Sequence, residues 1–309
     1  MAACASLMLL ASCRGRESRR LVAVIVPSQD NPYFKAEADA AAARASELGY
    51  RVRVDAHEDD AYRQDNLIDA AIASNAAVLI LDNAGADASI SAIRRAAKAG
   101  IAVFLIDREI NATGIAKAQI VSDNDQGARL VATEFARSLA GSRNAYAELL
   151  GRESDTNAQV RTKGFHAVLD KDPELSMVTA QSANWSQAEA FSKTETMLQA
   201  HGDIRGIIAG NDTMALGAAA AVKSAGLKGI KIVGFDGSPD AVAAIESGEM
   251  QATVLQPAVL ISRMAVEEAD ALLKTGATGK PEVQVIPCDL VVKASAGEYV
   301  NFEKKKQGG

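Results

Sequence analysis

The stretch that decides the fold is LVAVIVPSQDNPYFKAEADAAAARASELGY, residues 21–50. Its first six residues are all apolar, which is typical of a parallel strand buried on both faces. From about Tyr33 the residues are mostly alanine and other good helix formers, so a strand gives way to a helix. Two aromatic residues, Tyr33 and Phe34, lie side by side at this junction in a chain that is only 4% aromatic. Their position poses the question of a role beyond packing.

The same alternation of strand and helix continues almost to the end of the chain. Apolar runs such as AVLIL (77–81) and IAVFLI (101–106) are separated by longer helical patterns, which indicates right-handed β-α-β units and parallel sheets. Such a number of strands exceeds one doubly wound sheet, so we predict an α/β protein with two similar lobes. The predicted strands are Leu21–Pro27, Arg51–Ala56, Ala77–Leu81, Ala102–Asp107, Ala118–Ser122, Ala145–Leu150, Met177–Ser182, Gly206–Ala209, Lys231–Phe235, Gln251–Leu255 and Val283–Val292.

Composition limits the function classes. The chain has 309 residues, 48% of them hydrophobic and 23% charged, with a net charge of −6. This balance is that of a soluble globular protein and argues against a nucleic acid as partner. There is no G-x-G-x-x-G, no G-x-S-x-G and no phosphate-binding loop of the G-x-x-x-x-G-K type, so we predict no cofactor, no metal site and no catalytic residues.

The first residues read as a targeting segment rather than as part of the fold. MAACASLMLLASC is short, apolar and ends in small residues, which is typical of a secretory signal peptide. Leu10-Ala11-Ser12-Cys13 resembles a bacterial lipobox, so we predict a signal peptide over residues 1–12, acylation of Cys13 and a tether over residues 13–19. The alternative is an ordinary signal peptide whose cysteine is incidental.

The predicted strand ends carry an unusual density of polar and aromatic side chains. In open α/β sheets, ligands bind beyond the carboxyl ends of the strands. Carboxylates, amides and guanidinium groups hydrogen-bond hydroxyls, and aromatic faces cover the C–H surface of a sugar ring. The rim therefore indicates a carbohydrate site. Each residue taken singly has a structural alternative, since Asn and Asp at strand ends often only cap helices.

Several motifs together resemble the periplasmic sugar-binding proteins of ABC importers, in the branch of the ribose-binding protein. They are NPYF, FLIDR, IVSDN, RTKGFHAVL, GNDTMALGA, VGFDGSPD and ATVLQP, in this order, and the resemblance runs from about Leu21 to Lys293. It implies two Rossmann-like doubly wound lobes joined by a multi-strand hinge. The first lobe would hold residues 20–123 and 256–286, the second residues 124–255 and 287–293, and residues 294–309 would form a tail.

The resemblance also implies the ligand contacts. Tyr33 and Phe34 would stack on one face of the sugar and Trp185 would close over the other. The full predicted set is Asn31, Tyr33, Phe34, Asp107, Arg108, Asn157, Gln159, Trp185, Asn211, Asp236 and Gln256. Gln159 stands where we expect the ribose binders to have an arginine, with Arg161 two residues on, which argues against ribose itself and favours another small sugar or a sugar alcohol.

The implied function is capture of a sugar or alditol outside the cytoplasm and delivery to an ABC permease by hinge closure. The protein would be a monomer that contacts the membrane only through its lipid anchor. A sugar-sensing adaptor, read by a chemoreceptor or kinase, would use the same fold. An enzyme would need a catalytic motif that the sequence lacks. A repressor of the lactose type would need a DNA-binding module ahead of Leu21, where the targeting segment lies.

Overall fold

The computed structural model describes residues 20–141 and 144–305, so the predicted signal segment and Cys13 lie outside the described residues. Strands and helices alternate as the sequence predicted. The first block comprises β1 (Leu21–Val26), α1 (Pro32–Glu47), β2 (Arg51–Ala56), α2 (Ala61–Ala73), β3 (Val78–Leu81), α3 (Ile90–Lys98), β4 (Ala102–Ile106) and β5 (Ala118–Ser122). The second block comprises α4 (Asn124–Ser138), β6 (Asn144–Leu150), α5 (Thr156–Leu169), β7 (Leu175–Ser182), α6 (Gln187–Ala200), β8 (Ile204–Ala209), α7 (Asp212–Ser224), β9 (Lys231–Val233), α8 (Pro239–Ser247) and β10 (Ala252–Leu255).

The remaining elements follow these two blocks in the chain. They are α9 (Ala258–Thr275), β11 (Val283–Ile286), β12 (Asp289–Val292), a 3-10 turn (Ala296–Glu298), β13 (Tyr299–Val300) and β14 (Glu303–Lys304). One sheet has the order β11-β5-β4-β3-β1-β2 and the other the order β12-β10-β9-β8-β6-β7. Within these two sheets, all strand pairs are parallel except β10 with β12. The predicted α/β architecture with two parallel-sheet lobes is confirmed.

Three crossings of the chain join the lobes: from β5 to α4, from β10 to α9, and from β11 to β12. The predicted single strand Val283–Val292 is wrong, because its two halves pair in different sheets. Pro287 lies at the break and has no N–H to donate to a ladder. Cys288, the next residue, is a buried free thiol packed in the core of the second lobe.

The core is built from strands without exposed faces and from small helix residues. All six residues of β1 and all five of β4 are buried. The helix α1 packs closely on α9 and β1, and its Ala38, Ala41 and Ala45 are at most 1% exposed. Small side chains at these positions let the helix axes approach each other. Within residues 20–141 and 144–305, no helix combines the length and apolar character needed to cross a bilayer.

The segment after β12 is not the simple tail that was predicted. Residues 299–304 pair as an antiparallel hairpin of β13 and β14. Its Phe302 is 1% exposed and belongs, with Tyr299, to the largest apolar cluster. Burial of two aromatic side chains orders this segment, and the hydrophilic look of its sequence hid that anchoring.

Candidate functional site

The carboxyl ends of the two sheets face one another across a small cavity. Side chains from both lobes and from the hinge form its wall. They are Tyr33, Phe34, Asp107, Asp155, Asn157, Arg161, Trp185, Asn211, Asp236 and Gln256. Polar and aromatic groups from two lobes that converge on one small space indicate a site for a small molecule.

Aromatic rings approach the cavity from both lobes. Asn31 caps α1 by accepting a hydrogen bond from the Tyr33 amide (3.0 Å), and Pro32 occupies the first helical turn. This cap places Tyr33 and Phe34 at the start of the helix, with ring centroids 5.8 Å apart and planes at 81°. Trp185 follows β7 with a φ of 66°, in the left-handed region that few bulky residues adopt.

The Trp185 ring packs against two glycines, Gly151 and Gly210. A Cβ atom added to Gly151 would overlap the six-membered ring of Trp185, and one added to Gly210 would lie 3.0 Å from it. The indole Nε1 donates to Asp155 Oδ2 at 3.1 Å, which fixes the ring within its plane. Strained backbone, a glycine floor and a hydrogen bond together hold this ring against the cavity.

Asp107 is the acidic group that the first lobe contributes. Its Oδ1 accepts from the Tyr33 hydroxyl (3.2 Å) and from Asn157 Nδ2 of the second lobe (3.2 Å). Burial, reinforced by the negative charge of Asp155, raises the pKa of Asp107 to about 6. A carboxylate held by two donors keeps further lone pairs for a ligand hydroxyl.

Arg161 and Asp236 form the charged centre of the second lobe. Arg161 donates to Asn124 Oδ1 and to the Gly210 carbonyl, both at 2.8 Å, and its Nη1 lies 3.5 Å from Asp236 Oδ1. Its guanidinium also lies 4.1 Å from the Phe235 ring centroid and 5.4 Å from that of Trp185. Burial raises the pKa of Asp236 well above its ordinary value, and the charge of Arg161 opposes that shift.

Gln256 supplies an acceptor that has no partner among the described residues. Its Nε2 donates to Asp236 Oδ1 at 2.7 Å, but its Oε1 is buried and receives no hydrogen bond. Leaving a buried acceptor unpaired is costly, so such a group at a cavity wall indicates a ligand that donates to it.

Arg108 lies beneath the cavity rather than in its wall. It is 2% exposed, stacks 5.0 Å from the Phe34 ring centroid, and pairs with Asp59 (2.8 Å) and Asp155 (2.8 Å). Asp82 lies 3.4 Å from its Nε. The guanidinium thereby neutralises a buried acidic cluster and supports Phe34 from behind.

Glu37 and Asp82 complete this buried cluster and have no hydrogen-bond partner within the described residues. Oxygens of Glu37, Asp82 and Asp107 lie within 4.8 Å of one another. Burial, together with the charge of Asp82, raises the pKa of Glu37 well above its ordinary value. Burial also raises the pKa of Asp82 well above its ordinary value, and two buried carboxylates this close do not both ionise easily.

The structure brings together most of the predicted site residues. Those that line the cavity are Tyr33, Phe34, Asp107, Asn157, Trp185, Asn211, Asp236 and Gln256. Asn31 instead caps α1, and Arg108 lies below the wall, where its Nη1 pairs with Asp59 while its buried Nη2 has no hydrogen-bond partner among the described residues. Gln159 is exposed on α5 and donates to the Glu153 carbonyl at 3.2 Å, so its predicted place at the ligand is corrected.

Two residues of the wall were missed from the predicted set, Asp155 and Arg161. Asp155 caps α5 through a bond from the Asn157 amide, a role that looks purely structural in sequence. The guanidinium that the sequence appeared to lack is present, because Arg161 occupies the cavity in place of Gln159. The argument against ribose that rested on its absence therefore falls.

Comparisons with known proteins show the family of the chain. The model of the periplasmic binding protein domain family matches residues 22–278. The D-apiose import binding protein of Paraburkholderia graminis is 56% identical over 300 residues, covering 97% of this chain and 96% of that protein. A ribose import binding protein of Haemophilus influenzae is 34% identical and covers 93% of this chain and 96% of its own length. The solved ABC transporter periplasmic solute binding protein from Actinobacillus succinogenes with bound D-allose has a TM-score of 0.85 at 28% identity, covering 91% of this chain and 100% of that one.

Proposed function

The chain belongs to the periplasmic binding protein domain family, and from this premise we propose that it captures a small sugar outside the cytoplasm for an ABC importer. The single observation that carries the proposal is the small cavity with polar and aromatic walls from both lobes. The relatives above are import binding proteins rather than enzymes, and the one with 56% identity takes its name from D-apiose. D-Apiose, or a related pentose, is therefore the first candidate ligand.

The wall offers complementary groups for a polyhydroxylated ring. Phe34 and Trp185 present apolar surface for the C–H groups of a sugar. Asp107 and Asp236 accept hydrogen bonds from hydroxyls, and Arg161 donates. The unpaired Oε1 of Gln256 accepts a hydrogen bond from one further hydroxyl. An analogue that lacks a matching hydroxyl leaves a buried partner unpaired, which gives selectivity.

Capture proceeds by closure of the lobes about the hinge. The sugar docks on Phe34 and Asp107 of the first lobe, and contacts with Trp185 and Asp236 of the second lobe form on closure. Ligand that binds the closed form more tightly shifts the population towards it. The two lobes of this form then offer one composite surface to the permease.

Delivery to a permease implies an extracytoplasmic location. We propose that acylation of Cys13 keeps the receptor near the membrane, because the sequence before it reads as a signal peptide and lipobox. Such a lipid anchor tethers the protein without spanning the bilayer. We propose that the receptor acts as a monomer.

A thermal-shift screen followed by calorimetry tests the proposal. The panel contains D-apiose, D-ribose, D-allose, other pentoses and hexoses, and alditols such as xylitol. A ligand that binds only the native state raises the melting temperature. We expect at least one sugar of the panel to bind the wild type with 1:1 stoichiometry and to lose binding in Trp185→Ala. Failure of the whole panel to bind would overturn the function.

A further inference from the structure

A C-terminal hairpin lies outside the family match and outside both sheets. We call residues 294–305 the C-terminal strap. The family model ends at residue 278, whereas the strap forms a 3-10 turn and the paired strands β13 and β14. Phe302, which lies in the turn of the hairpin, is 1% exposed, while Val300 of the same hairpin is 53% exposed. Ala296 and Tyr299 of the strap are buried as well, so the strap is anchored on one side while its other side faces solvent.

The anchor reaches the sugar cavity through one intermediate. The Phe302 ring meets Tyr33 edge to face, with centroids 5.7 Å apart and planes at 83°. Tyr33 lines the cavity, and its hydroxyl donates to Asp107 at 3.2 Å. A tyrosine held on one side by an edge-to-face contact has less freedom to turn its hydroxyl away from its acceptor.

The strap also contacts elements of both lobes. Its 3-10 turn packs on α8 of the second lobe, and β14 packs on α9 of the first. Phe302, Pro239 of α8 and Val259 of α9 share one surface groove beside α1. Phe302, which contacts Tyr33, thus lies where the two lobes meet. It lies on the side of the hinge where the chain crosses from β10 to α9.

The turn of the strap holds a bulky residue in an unfavourable backbone conformation. Asn301 has a φ of 48° and Phe302 a φ of 60°. A two-residue hairpin of this hand needs positive φ at both central positions, which suits asparagine and glycine but disfavours a bulky residue. Such a conformation persists where the surrounding packing over-determines it, and it is common at functional sites.

We propose that the C-terminal strap is a part of the sugar receptor, and that Phe302 is a positioning residue that holds Tyr33 against Asp107. The proposal rests on the proposed function for its consequence, which is affinity for the sugar. Without the Phe302 ring, Tyr33 samples other orientations, and part of the binding free energy goes into ordering it again. The orientation of Tyr33 in the sugar-free protein, in contrast, can be measured whether or not the sugar is known.

The first test is a double-mutant cycle on the tightest sugar of the panel. Phe302→Ala should weaken binding about tenfold, Phe302→Leu should weaken it less, and the exposed control Val300→Ala should leave it unchanged. Tyr33→Phe removes the hydroxyl, and adding Phe302→Ala to it should cost little more, because the two residues act through one hydrogen bond. Additive losses, or a lowered melting temperature with unchanged affinity in Phe302→Ala and Phe302→Leu, would overturn the proposal.

The second test needs no sugar. Tyrosine-selective NMR of the free protein, with Tyr33→Phe to assign the signals, reports the Tyr33 ring directly. Phe302→Leu, which keeps an apolar side chain in the turn, should shift the Tyr33 signals and speed the flipping of its ring, while Val300→Ala should not. Unchanged Tyr33 signals in Phe302→Leu would contradict the role of the strap. If the wild type bound no sugar, the proposed function would fail, and this measurement would still decide the positioning claim.

Discussion

Arg108 of the first lobe and Asp155 of the second are joined by an ion pair of 2.8 Å between Nε and Oδ2. Both side chains are buried, and the same Oδ2 accepts the indole N–H of Trp185. One carboxylate therefore links the lobes and orients the aromatic ring of the cavity. Contact between the lobes and the position of Trp185 are coupled through Asp155.

Asp155→Asn tests this coupling. The amide keeps one acceptor oxygen but loses the negative charge that faces Arg108. We therefore expect sugar binding to weaken by about 2 kcal/mol, the lower end of the range for removing one partner of a buried charge pair. The lower end applies because Asp59 and Asp82 still neutralise Arg108. Asp125→Asn, which removes an exposed ion pair with Arg129, is the control and should change little. Wild-type affinity in Asp155→Asn by calorimetry would refute the coupling.

Arg161 and Gln159 give a second, sharper comparison, because only Arg161 lines the cavity. Arg161→Met leaves Asp236 buried without its cation, and binding should weaken by at least about 2 kcal/mol, or roughly 30-fold. Gln159→Ala should bind as the wild type does, since its side chain is exposed. Calorimetry on both variants checks this, and a loss in Gln159→Ala instead of Arg161→Met would restore the sequence-based assignment.

The glycine floor under Trp185 predicts a steric effect. Gly151→Ala places a methyl group where the indole lies, so the ring must move and sugar binding should fall at least about tenfold. Gly202→Ala is the matched control, because nothing lies within 4 Å of a Cβ at that position. Calorimetry together with circular dichroism separates loss of the site from loss of the fold. Unchanged affinity in Gly151→Ala would show that Trp185 does not contact the ligand.

His166 predicts a pH dependence of stability away from the cavity. Its ring nitrogens lie 3.0 Å from Glu148 and 3.0 Å from Asp170, and the hydrogen bond to Glu148 raises the pKa of His166 to about 9. A histidine whose pKa is raised on folding stabilises fully below its unfolded pKa near 6.5, and that stabilisation is lost as pH rises through about 9.

Urea denaturation of the wild type and His166→Gln at several pH values measures this effect. The difference in the free energy of unfolding should be largest at pH 6 and should shrink towards pH 10. A difference that stays constant over this range would mean that the His166 charge plays no part. His201, for which no such pair of carboxylates is present in the described structure, offers the control substitution His201→Gln.

The fold was predictable because its signal is repeated along the chain. Buried runs such as Leu21–Val26 and Ala102–Ile106 need no tertiary information to be recognised as interior strands. The strand predicted over Val283–Val292 ran through the break at Pro287, because apolar residues lie on both sides of it, whereas the lobe bounds implied by the resemblance already change between residues 286 and 287. The family resemblance is confirmed by the match over residues 22–278 and by the ribose and apiose import relatives.

The site was predictable at strand ends and less so on helices. Asn157 and Arg161 are four residues apart on α5 and therefore share a face, whereas Gln159 points elsewhere. Helical periodicity could have selected Arg161 over Gln159. The contact between Tyr33 and Phe302 could not be predicted in this way, because it depends on a left-handed turn that the amino-acid composition does not indicate.

Trp185 is the single tryptophan of the 309-residue chain, so intrinsic fluorescence reports on the cavity directly. We predict that titration with the sugar that binds best changes the Trp185 emission in a saturable way, with the Kd found by calorimetry, and that Arg161→Met abolishes the change. Sugar binding seen by calorimetry with Trp185 emission unchanged throughout would contradict the account, because the sugar would then bind outside the cavity between the lobes.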